Sequence, residues 1–319
     1  MKIKILTLAL TVLMLVSVFV GCGSNGEEGL TPGTDTPGDK ISETNAPETN
    51  APETNAPETN APETEAPKTE GIKLRVATAN IGDFTGNKEP GAAPETVKAT
   101  LDAMNADLIA TQEDKATING LDVKETLYSS FPYSERMGTG DYNYKAYMSN
   151  YELKNTKQVY YEVAEEYQEF ITHPWFLYTC INVDGVDVHF INVHVEWNDK
   201  STRAAQFKFI LKYIEENNFE YCVVIGDYNP DTRVKGKNFE GAYTVYKADL
   251  KLFKPYGFKA ANGGDFGEID TILDGDPKNI SVCDNILVSS NINITNVERV
   301  ADEWMRDHAF LIADLEIIK

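Results

Sequence analysis

The sequence predicts an α/β fold in which two mixed β-sheets pack face to face and helices cover the outside. Short apolar runs with the alternation typical of β-strands recur beyond residue 71, and two longer segments have the apolar spacing of helices. The pair Asp184-Gly185 joins two of the strand-like runs and is a hairpin signal. Antiparallel hairpins mixed with strand-helix-strand units fit two packed sheets with outer helices.

The individual elements follow from the same patterns, taken in chain order. Strands are predicted near residues 73–81, 107–113, 144–149, 158–163, 175–183, 186–195, 220–227, 281–289 and 309–317. Helices are predicted over 94–105 and 202–217, and in the second of these Ala205, Phe209 and Tyr213 share one face. Residues 71–319 are numerous enough to bury one hydrophobic core, so they can fold as a single domain.

Polar residues stand where several of these strands end. The buried-looking run 221–225 is broken by Gly226 and Asp227, and similar runs lead into Asn80, into Glu113 and into His194. A fifth place is the pair Asp307-His308, just before the last strand. Burying an acid or an imidazole beside apolar strands is costly unless it is paired or binds a metal. Five such places in one domain indicate one shared site.

Six segments carry a resemblance to a known family. They are Thr78-Ala79-Asn80-Ile81, Gln112-Glu113, Asn192-Val193-His194, Gly226-Asp227-Tyr228-Asn229, Asp284-Asn285-Ile286-Leu287-Val288-Ser289 and Asp307-His308. In this order they resemble the motifs of the endonuclease/exonuclease/phosphatase superfamily, from Gly71 onward. The resemblance implies a four-layer α/β sandwich and a divalent-metal-dependent hydrolase of phosphate esters.

The resemblance also implies a metal site. Hard cations such as Mg²⁺ take oxygen ligands and keep several waters, so one or two carboxylates and an amide oxygen suffice. Glu113 is the expected ligand, with Asn80 and Asp307 beside it. We expect Mg²⁺, with Mn²⁺ or Ca²⁺ as alternatives, and direct attack by water without a serine or cysteine nucleophile.

Five further positions match the catalytic residues of the family. Asp227 is implied as the base that deprotonates water, and Asn229 as the amide that holds water or phosphate. His194 and His308 are implied as hydrogen-bond donors to phosphoryl oxygens, with Asp284 orienting His308 and raising its pKa. Arg203 and Gln206 resemble a recurrent Arg-x-x-Gln, whose expected role is to orient the loop after His194.

Two histidines and one lysine are harder to assign. His189 is expected to face away from His194 by strand alternation and to serve packing, whereas His173 either lines the cleft or lies on a loop. Secreted deoxyribonucleases of the family have a glutamate near the segment 144–147, where this chain has none. Lys145 in that segment either contacts phosphate or is a solvated lysine on an edge strand, and the second interpretation is the simpler one.

The first residues indicate export. Lys2 and Lys4 precede an uninterrupted apolar stretch, and residues 1–22 end on Gly21-Cys22, which resembles a bacterial lipoprotein signal with Cys22 as the lipidated residue. A plain secretory signal or a retained anchor is the alternative. We expect the protein on the extracytoplasmic face of the cell membrane, held by a lipid anchor.

Residues 23–70 are expected to be a disordered linker. Four copies of Asn-Ala-Pro-Glu-Thr fill 45–64, and the tract lacks recurring large apolar residues that could offset its ordering entropy. The catalytic domain is then 71–319. The whole chain has a net charge of −21, and an acidic surface repels polyanions such as nucleic acids.

The function predicted from the sequence is therefore a membrane-anchored phosphodiesterase or phosphatase, and we expect a monomer. Its substrate is nucleic acid or a phospholipid headgroup, and the sequence leaves nuclease and phospholipid phosphodiesterase open. A non-catalytic surface binding module on the same fold is the alternative. The cysteines Cys180, Cys222 and Cys283 lie in strand-like runs without metal-type spacing and are expected to pack in the core.

Overall fold

The computed structural model describes residues 71–82, 92–118, 121–139, 143–229, Lys247, 249–273, 282–305 and 307–319. These residues belong to one compact unit, Glu65–Lys319. The signal peptide, Cys22 and the repeat linker predicted over 1–70 lie outside the described residues. Within the described residues, no helix is long and apolar enough to cross a membrane.

The described residues form strands and a few helices. The strands are β1 (Ile72–Asn80), β2 (Leu108–Gln112), β3 (Thr117–Ile118), β4 (Leu121–Asp122), β5 (Tyr133–Thr139), β6 (Asn143–Ser149), β7 (Lys154–Tyr160), β8 (Trp175–Val183), β9 (Val186–His194), β10 (Cys222–Asp227), β11 (Lys259–Ala260), β12 (Asp284–Val288), β13 (Ile292–Val300) and β14 (Phe310–Ile317). The helices include α1 (Pro94–Ala103), α2 (Lys124–Tyr128), α3 (Glu165–Gln168) and α4 (Lys200–Glu216). Residues 249–253 are also helical, and Lys254–Tyr256 forms a 3-10 turn.

Two six-stranded sheets share one topology. Sheet 1 has the spatial order β13-β14-β1-β2-β6-β5, and sheet 2 has the order β11-β12-β10-β9-β8-β7. In each sheet the two central strands are parallel, β1 with β2 and β9 with β10, and every other pairing is antiparallel. The chain passes through α1 between the first parallel pair and through α4 between the second. Because parallel strands end at the same edge, each sheet collects the ends of its central strands on one side.

The core lies in three apolar layers. The central layer fills the space between the sheets and includes Trp175 from β8. A second layer lies outside sheet 1, where Val97 and Leu101 of α1 are buried. A third lies outside sheet 2, where Phe207 and Ile210 of α4 are buried. Helix, sheet, sheet and helix thus form four layers, and the predicted sandwich of two mixed sheets is confirmed.

Several strands were not predicted from the sequence. The strands β5 and β13 lie at the two edges of sheet 1 and are rich in polar residues, so alternation of apolar residues is weak in them. A register shift between Ile294 and Asn296 further breaks the alternation in β13. The predicted strand 158–163 is observed earlier, as β7.

Candidate active site

Two short rows of side chains meet where the parallel strands end. In each sheet, three polar residues at this edge are paired in register on neighbouring strands. Their side chains point toward the other sheet, because they continue the alternation of the apolar residues that form the central core layer. We name these the sheet 1 row and the sheet 2 row. The sheet 1 row is Asn80, Gln112 and Lys145, and the sheet 2 row is His194, Asp227 and Asp284.

Asp227 lies at the centre of the site and is 1 % exposed. Its Oδ2 accepts a hydrogen bond from Asn80 Nδ2 at 3.0 Å and lies 3.6 Å from the Nε2 atoms of both His194 and His308. Its Oδ1 accepts from the backbone N–H of Asn229 at 2.8 Å. Burial raises the pKa of Asp227 to about 7, although the charge of His308 opposes the rise. Asp227 is therefore an oriented carboxylate that can accept a proton near neutral pH.

His308 is held by a second carboxylate. Its Nδ1–H donates to Asp284 Oδ2 at 2.9 Å, so Nε2 is the ring nitrogen that faces Asp227. Burial disfavours the imidazolium, but the carboxylates of Asp284 and Asp227 outweigh this and raise the pKa of His308 to about 10. The resemblance implied this effect of Asp284, and the geometry agrees with it.

The protonation state of His194 is opposite to that of His308. Burial lowers the pKa of His194 well below its usual value, and the neighbouring His173, Lys145 and His308 lower it further. Its ring stacks on that of His173 with 3.7 Å between centroids. Its Nδ1 is buried without a hydrogen-bond partner among the described residues. His194 is therefore a neutral imidazole beside the Asp227 carboxylate.

Glu113 reaches the site from sheet 1. It follows β2 directly and has a φ of 53°, a conformation that is uncommon for residues other than glycine. Its Oε1 accepts from Asn80 Nδ2 at 3.2 Å and lies 3.8 Å from His194 Nε2. A Cβ atom on Gly82 would approach Glu113 Oε2 to 2.3 Å, so glycine leaves space for this carboxylate. The strained turn and the neighbouring glycine both aim Glu113 into the cleft.

The donor set fits a hard divalent cation. Carboxylate oxygens of Glu113 and Asp227, from opposite sheets, converge on the same Asn80 amide nitrogen. Oxygens of this kind are the ligands that Mg²⁺ prefers. A second grouping overlaps the first, because ligand atoms of Asp227, Asp284 and His308 all lie within 4.8 Å of one another. In that grouping, however, Asp284 and His308 are hydrogen-bonded to each other.

The other predicted residues occupy the rim of the site. Asp307 precedes His308, and its charge contributes to the raised pKa of that histidine. Its backbone carbonyl accepts from Leu273 N–H at 2.8 Å. Asn229 donates from Nδ2 to the Val195 carbonyl at 3.1 Å, which ties the loop after β10 to the end of β9. The metal role of Asp307 and the water-holding role of Asn229 stay predictions.

A buried support lies behind His194. Glu196 accepts hydrogen bonds from Thr172 N–H and Oγ1–H at 2.9 and 2.7 Å, which fixes the loop that carries His173. Gln206 Nε2 donates to the His173 carbonyl at 3.0 Å, and Gln206 Oε1 accepts from Glu196 N–H at 2.8 Å. Arg203 donates to the carbonyls of Glu196 and Asn229. These contacts match the orienting role expected for Arg203 and Gln206.

Two residues of the site were not assigned from the sequence. His173 lines the cleft and is buried by its stack on His194. Of the two interpretations of Lys145, the solvated lysine on an edge strand is wrong, because β6 lies inside sheet 1 and Lys145 is fully buried. The error follows from the missed strand β5, which covers the edge of β6. The sequence does contain a signal for the inward position of Lys145. Lys145 lies two residues before Tyr147, which faces the central core layer, so strand alternation puts both side chains on the same face.

Two packed mixed sheets with helices outside them define the class of the protein as a four-layer α/β sandwich, and a cluster of carboxylates, amides and imidazoles lies at one edge of the sheets. Comparison with solved structures gives the particular fold. An endonuclease/exonuclease/phosphatase from Beutenbergia cavernae has a TM-score of 0.59 at 15% identity, with 77% of this chain and 72% of that chain covered. One from Bacteroides vulgatus has a TM-score of 0.56 at 17% identity, covering 77% and 99%.

The catalytic domain of human nocturnin has a TM-score of 0.55 at 14% identity, with 77% of this chain and 94% of that chain covered. The chain therefore has the endonuclease/exonuclease/phosphatase fold, and the resemblance predicted from the motifs is confirmed at the level of the fold. The sequence matches no protein-family model and no curated protein.

Proposed function

We propose that this protein is a divalent-metal-dependent phosphoesterase that cleaves its substrate by direct attack of water. The observation that carries the proposal is the arrangement around Asp227 Oδ2, which one amide and two imidazoles of opposite protonation state surround. Such a group of a base, an acid and a neutral donor is what hydrolysis of a phosphate ester requires. The shared fold supports the same class of activity.

Each residue of the site has a separate role in the proposed hydrolysis. Asp227 aims a water molecule and takes its proton, because its buried carboxylate is fixed by Asn80 and Asn229. His308 is positively charged at neutral pH and donates a proton or a hydrogen bond to the leaving oxygen. Neutral His194 donates a hydrogen bond to a non-bridging oxygen. Mg²⁺, Mn²⁺ or Ca²⁺ held by Glu113, Asn80 and Asp307 would supply Lewis-acid stabilisation of phosphoryl charge.

Cysteine chemistry is disfavoured by the placement of the thiols. Cys180, Cys222 and Cys283 are all buried. Burial raises the pKa of the Cys180 thiol to about 11 and also raises the pKa of Cys222. A thiol with a raised pKa is a poor nucleophile at neutral pH, so these side chains serve packing, as predicted from their sequence context.

The substrate class and location belong to the same proposal. A phosphodiester in nucleic acid or in a phospholipid headgroup, or a phosphomonoester, is the substrate, and the acidic chain favours the phospholipid over the polyanion. The signal-like residues 1–22 and Cys22 support lipid anchoring at the extracytoplasmic face. We propose a monomer as the working form.

The test uses the purified protein with bis-p-nitrophenyl phosphate, p-nitrophenyl phosphate, plasmid DNA and sphingomyelin, each with Mg²⁺ and with a chelator. We expect turnover of at least one diester that the chelator abolishes and Mg²⁺ restores. Turnover that resists the chelator contradicts the metal role. Absence of turnover on all four substrates favours a non-catalytic binding module on the same fold.

A charge-neutral variant of the metal ligand sharpens the test. Glu113→Gln keeps the size of the side chain but removes a carboxylate, so the Mg²⁺ concentration for half-maximal activity should rise more than about tenfold. Glu135→Gln on β5 is the matched control, because Glu135 belongs to the same sheet and is not at the site. An unchanged Mg²⁺ titration for Glu113→Gln would remove Glu113 from the ligand set.

A further inference from the structure

Lys145 is a buried amine inside the cleft that the proposed chemistry leaves unused. It pairs in register with Gln112 and belongs to the sheet 1 row. The side chain is fully buried, and its Nζ lies 4.0 Å from the centroid of the Trp175 ring. No hydrogen-bond acceptor for Nζ is found among the described residues.

Several charged or polar groups of the site surround this amine. The carboxylates of Glu113 and Asp227 favour its charged form, although burial lowers the pKa of Lys145 to about 7. The positive charge of Lys145 in turn lowers the pKa values of His173 and His194. Lys145 is thus close enough to both sides of the cleft to influence His173, His194 and the carboxylates of both sheets.

A buried ammonium without acceptors is costly, because it has three N–H donors and has lost its water. The face of Trp175 attracts the cation but accepts none of its hydrogen bonds in the ordinary geometry. An anion with several oxygens, entering the cleft between the sheets, would satisfy these donors and the charge together. A phosphoryl group has such oxygens and must lie beside Asp227 for water to attack it.

We propose that Lys145 is a substrate-binding residue whose ammonium group donates to a non-bridging oxygen of the substrate phosphate. This inference rests on the proposed function for its substrate, and it selects the phosphate contact that the sequence left as one of two interpretations of Lys145. The charges of Glu113 and Asp227 favour the ammonium form in the cleft, and the Trp175 ring lies against it. Lys145 of sheet 1 then binds the phosphate, and Asp227 of sheet 2 activates the water.

The first experiment measures binding of inorganic phosphate to the full-length protein by calorimetry in the presence of Mg²⁺. Lys145→Met keeps the length and the apolar stem but removes the charge, so phosphate should bind about ten- to a hundredfold more weakly. Lys157→Met is the matched control, because Lys157 also lies over an aromatic ring, Tyr178, but is exposed. The control should bind phosphate like the wild type.

Kinetics separate binding from a structural role. We expect Lys145→Met to lower kcat/KM with a raised KM, and Lys145→Arg to recover part of the affinity because it restores the charge. Equal phosphate affinity in Lys145→Met and wild type overturns the inference. A loss that Lys145→Arg does not relieve, with wild-type KM in both variants, also overturns it and leaves a packing role against Trp175.

A measurement on the wild type covers the case in which Lys145→Met does not fold. Brief acetylation followed by peptide mass spectrometry reports the reactivity of each amine with and without phosphate. Selective protection of Lys145, with Lys157 unprotected, supports the inference, and equal acetylation of Lys145 in both conditions contradicts it. Failure of the proposed function is distinguishable, because a protein without turnover can still show Lys145-dependent phosphate binding.

Discussion

Sheets 1 and 2 offer the same three register positions to the cleft, one on each strand of the parallel pair and one on the antiparallel neighbour. The occupants are Asn80, Gln112 and Lys145 in sheet 1, and His194, Asp227 and Asp284 in sheet 2. In sheet 2, Asp284 at the third position is paired with His308, whereas Lys145 at the third position in sheet 1 has no hydrogen-bond partner within the described residues. The shared topology sets the positions, and the local partners determine what each position can do.

The middle positions differ in the same way. Asp227 faces the cleft and is contacted by residues of both rows. Gln112 instead donates from Nε2 to Asn192 Oδ1 at 2.8 Å, and Asn192 Nδ2 donates to carbonyls of Thr111 and Ala146. A polar bridge thus joins the two sheets directly below the site. On the proposed mechanism, sheet 2 supplies the base Asp227 and the neutral donor His194, and sheet 1 supplies binding and bridging groups.

The largest effect is expected from Asp227→Asn, which removes the base from the sheet 2 row while keeping its shape. Loss of a positioned base lowers turnover by about 10²–10⁴-fold. Stability should change little or increase, because the variant removes a buried carboxylate whose pKa is already raised. Rates on the best diester and thermal unfolding measure the two effects. Near-full activity of Asp227→Asn would assign the base elsewhere.

Asp284→Asn removes the carboxylate that is paired with His308 at the third position of the sheet 2 row. This change should make the sheet 2 row more like the sheet 1 row. The pKa of His308 should fall from about 10 toward its usual value, since the Asp284 carboxylate is the main group that raises it. Turnover should fall by up to about 10²-fold. Nitrogen-15 NMR of the imidazoles checks the pKa directly. An unchanged His308 resonance between pH 6 and 9 would show that Asp227 alone keeps it charged.

Asn192→Leu tests the bridge between the sheets. It leaves the Gln112 amide and two backbone carbonyls without their partner, so the free energy of unfolding should fall by about 1–3 kcal/mol. Asn296→Leu is the control, because Asn296 is exposed and its hydrogen bonds to Glu298 and Asp314 lie in water. Urea denaturation should place the control within about 0.5 kcal/mol of the wild type. Equal midpoints for both variants would deny the bridge a role in stability.

The smallest effect is expected at His189, on the outer face of the strand that carries His194. Its ring stacks on Phe219 at 3.9 Å, its Nδ1 is 2.9 Å from Tyr178 Oη, and burial lowers its pKa although Asp187 opposes this. A lowered pKa means that the neutral ring stabilises the fold above about pH 6.5, and that this contribution is lost as the pH falls further.

His189→Phe should therefore reduce the difference between urea midpoints at pH 7.5 and pH 5, whatever its effect at either pH alone. The wild type is the reference, because His173 and His194 titrate in both proteins. An identical pH difference in the variant and the wild type would mean that the protonation of His189 does not affect stability.

Much of the site could be predicted because strand periodicity fixes direction. Asn80 and His194 end strands whose first residues alternate between apolar and polar, so the inward orientation of both side chains follows from the sequence, whereas Asp227 ends a continuous apolar run. The order of the motifs then indicated the fold. The central strands were found for the same reason, since burial on both faces gives them continuous apolar runs.

The remainder depended on contacts that local sequence does not encode. His173 stands in the cleft because Glu196 and Gln206 fix its loop, and those residues lie more than twenty positions away. Lys145 was misplaced because β5 is a polar strand whose pairing with β6 cannot be read from its own composition. In both cases, contacts with residues distant in the sequence, rather than residue type, determine where the side chain lies.

The pairing of β1 with β14 has a consequence for how the chain reaches its folded state. Arg75 and Asp314 form an ion pair across this boundary although they are 239 positions apart in sequence. During synthesis, β1 emerges long before β14, so one edge of a buried strand stays open for most of translation. Contacts of such long range slow folding. Incomplete chains should therefore leave the β14-facing edge of β1 open to other strands until β14 has arrived.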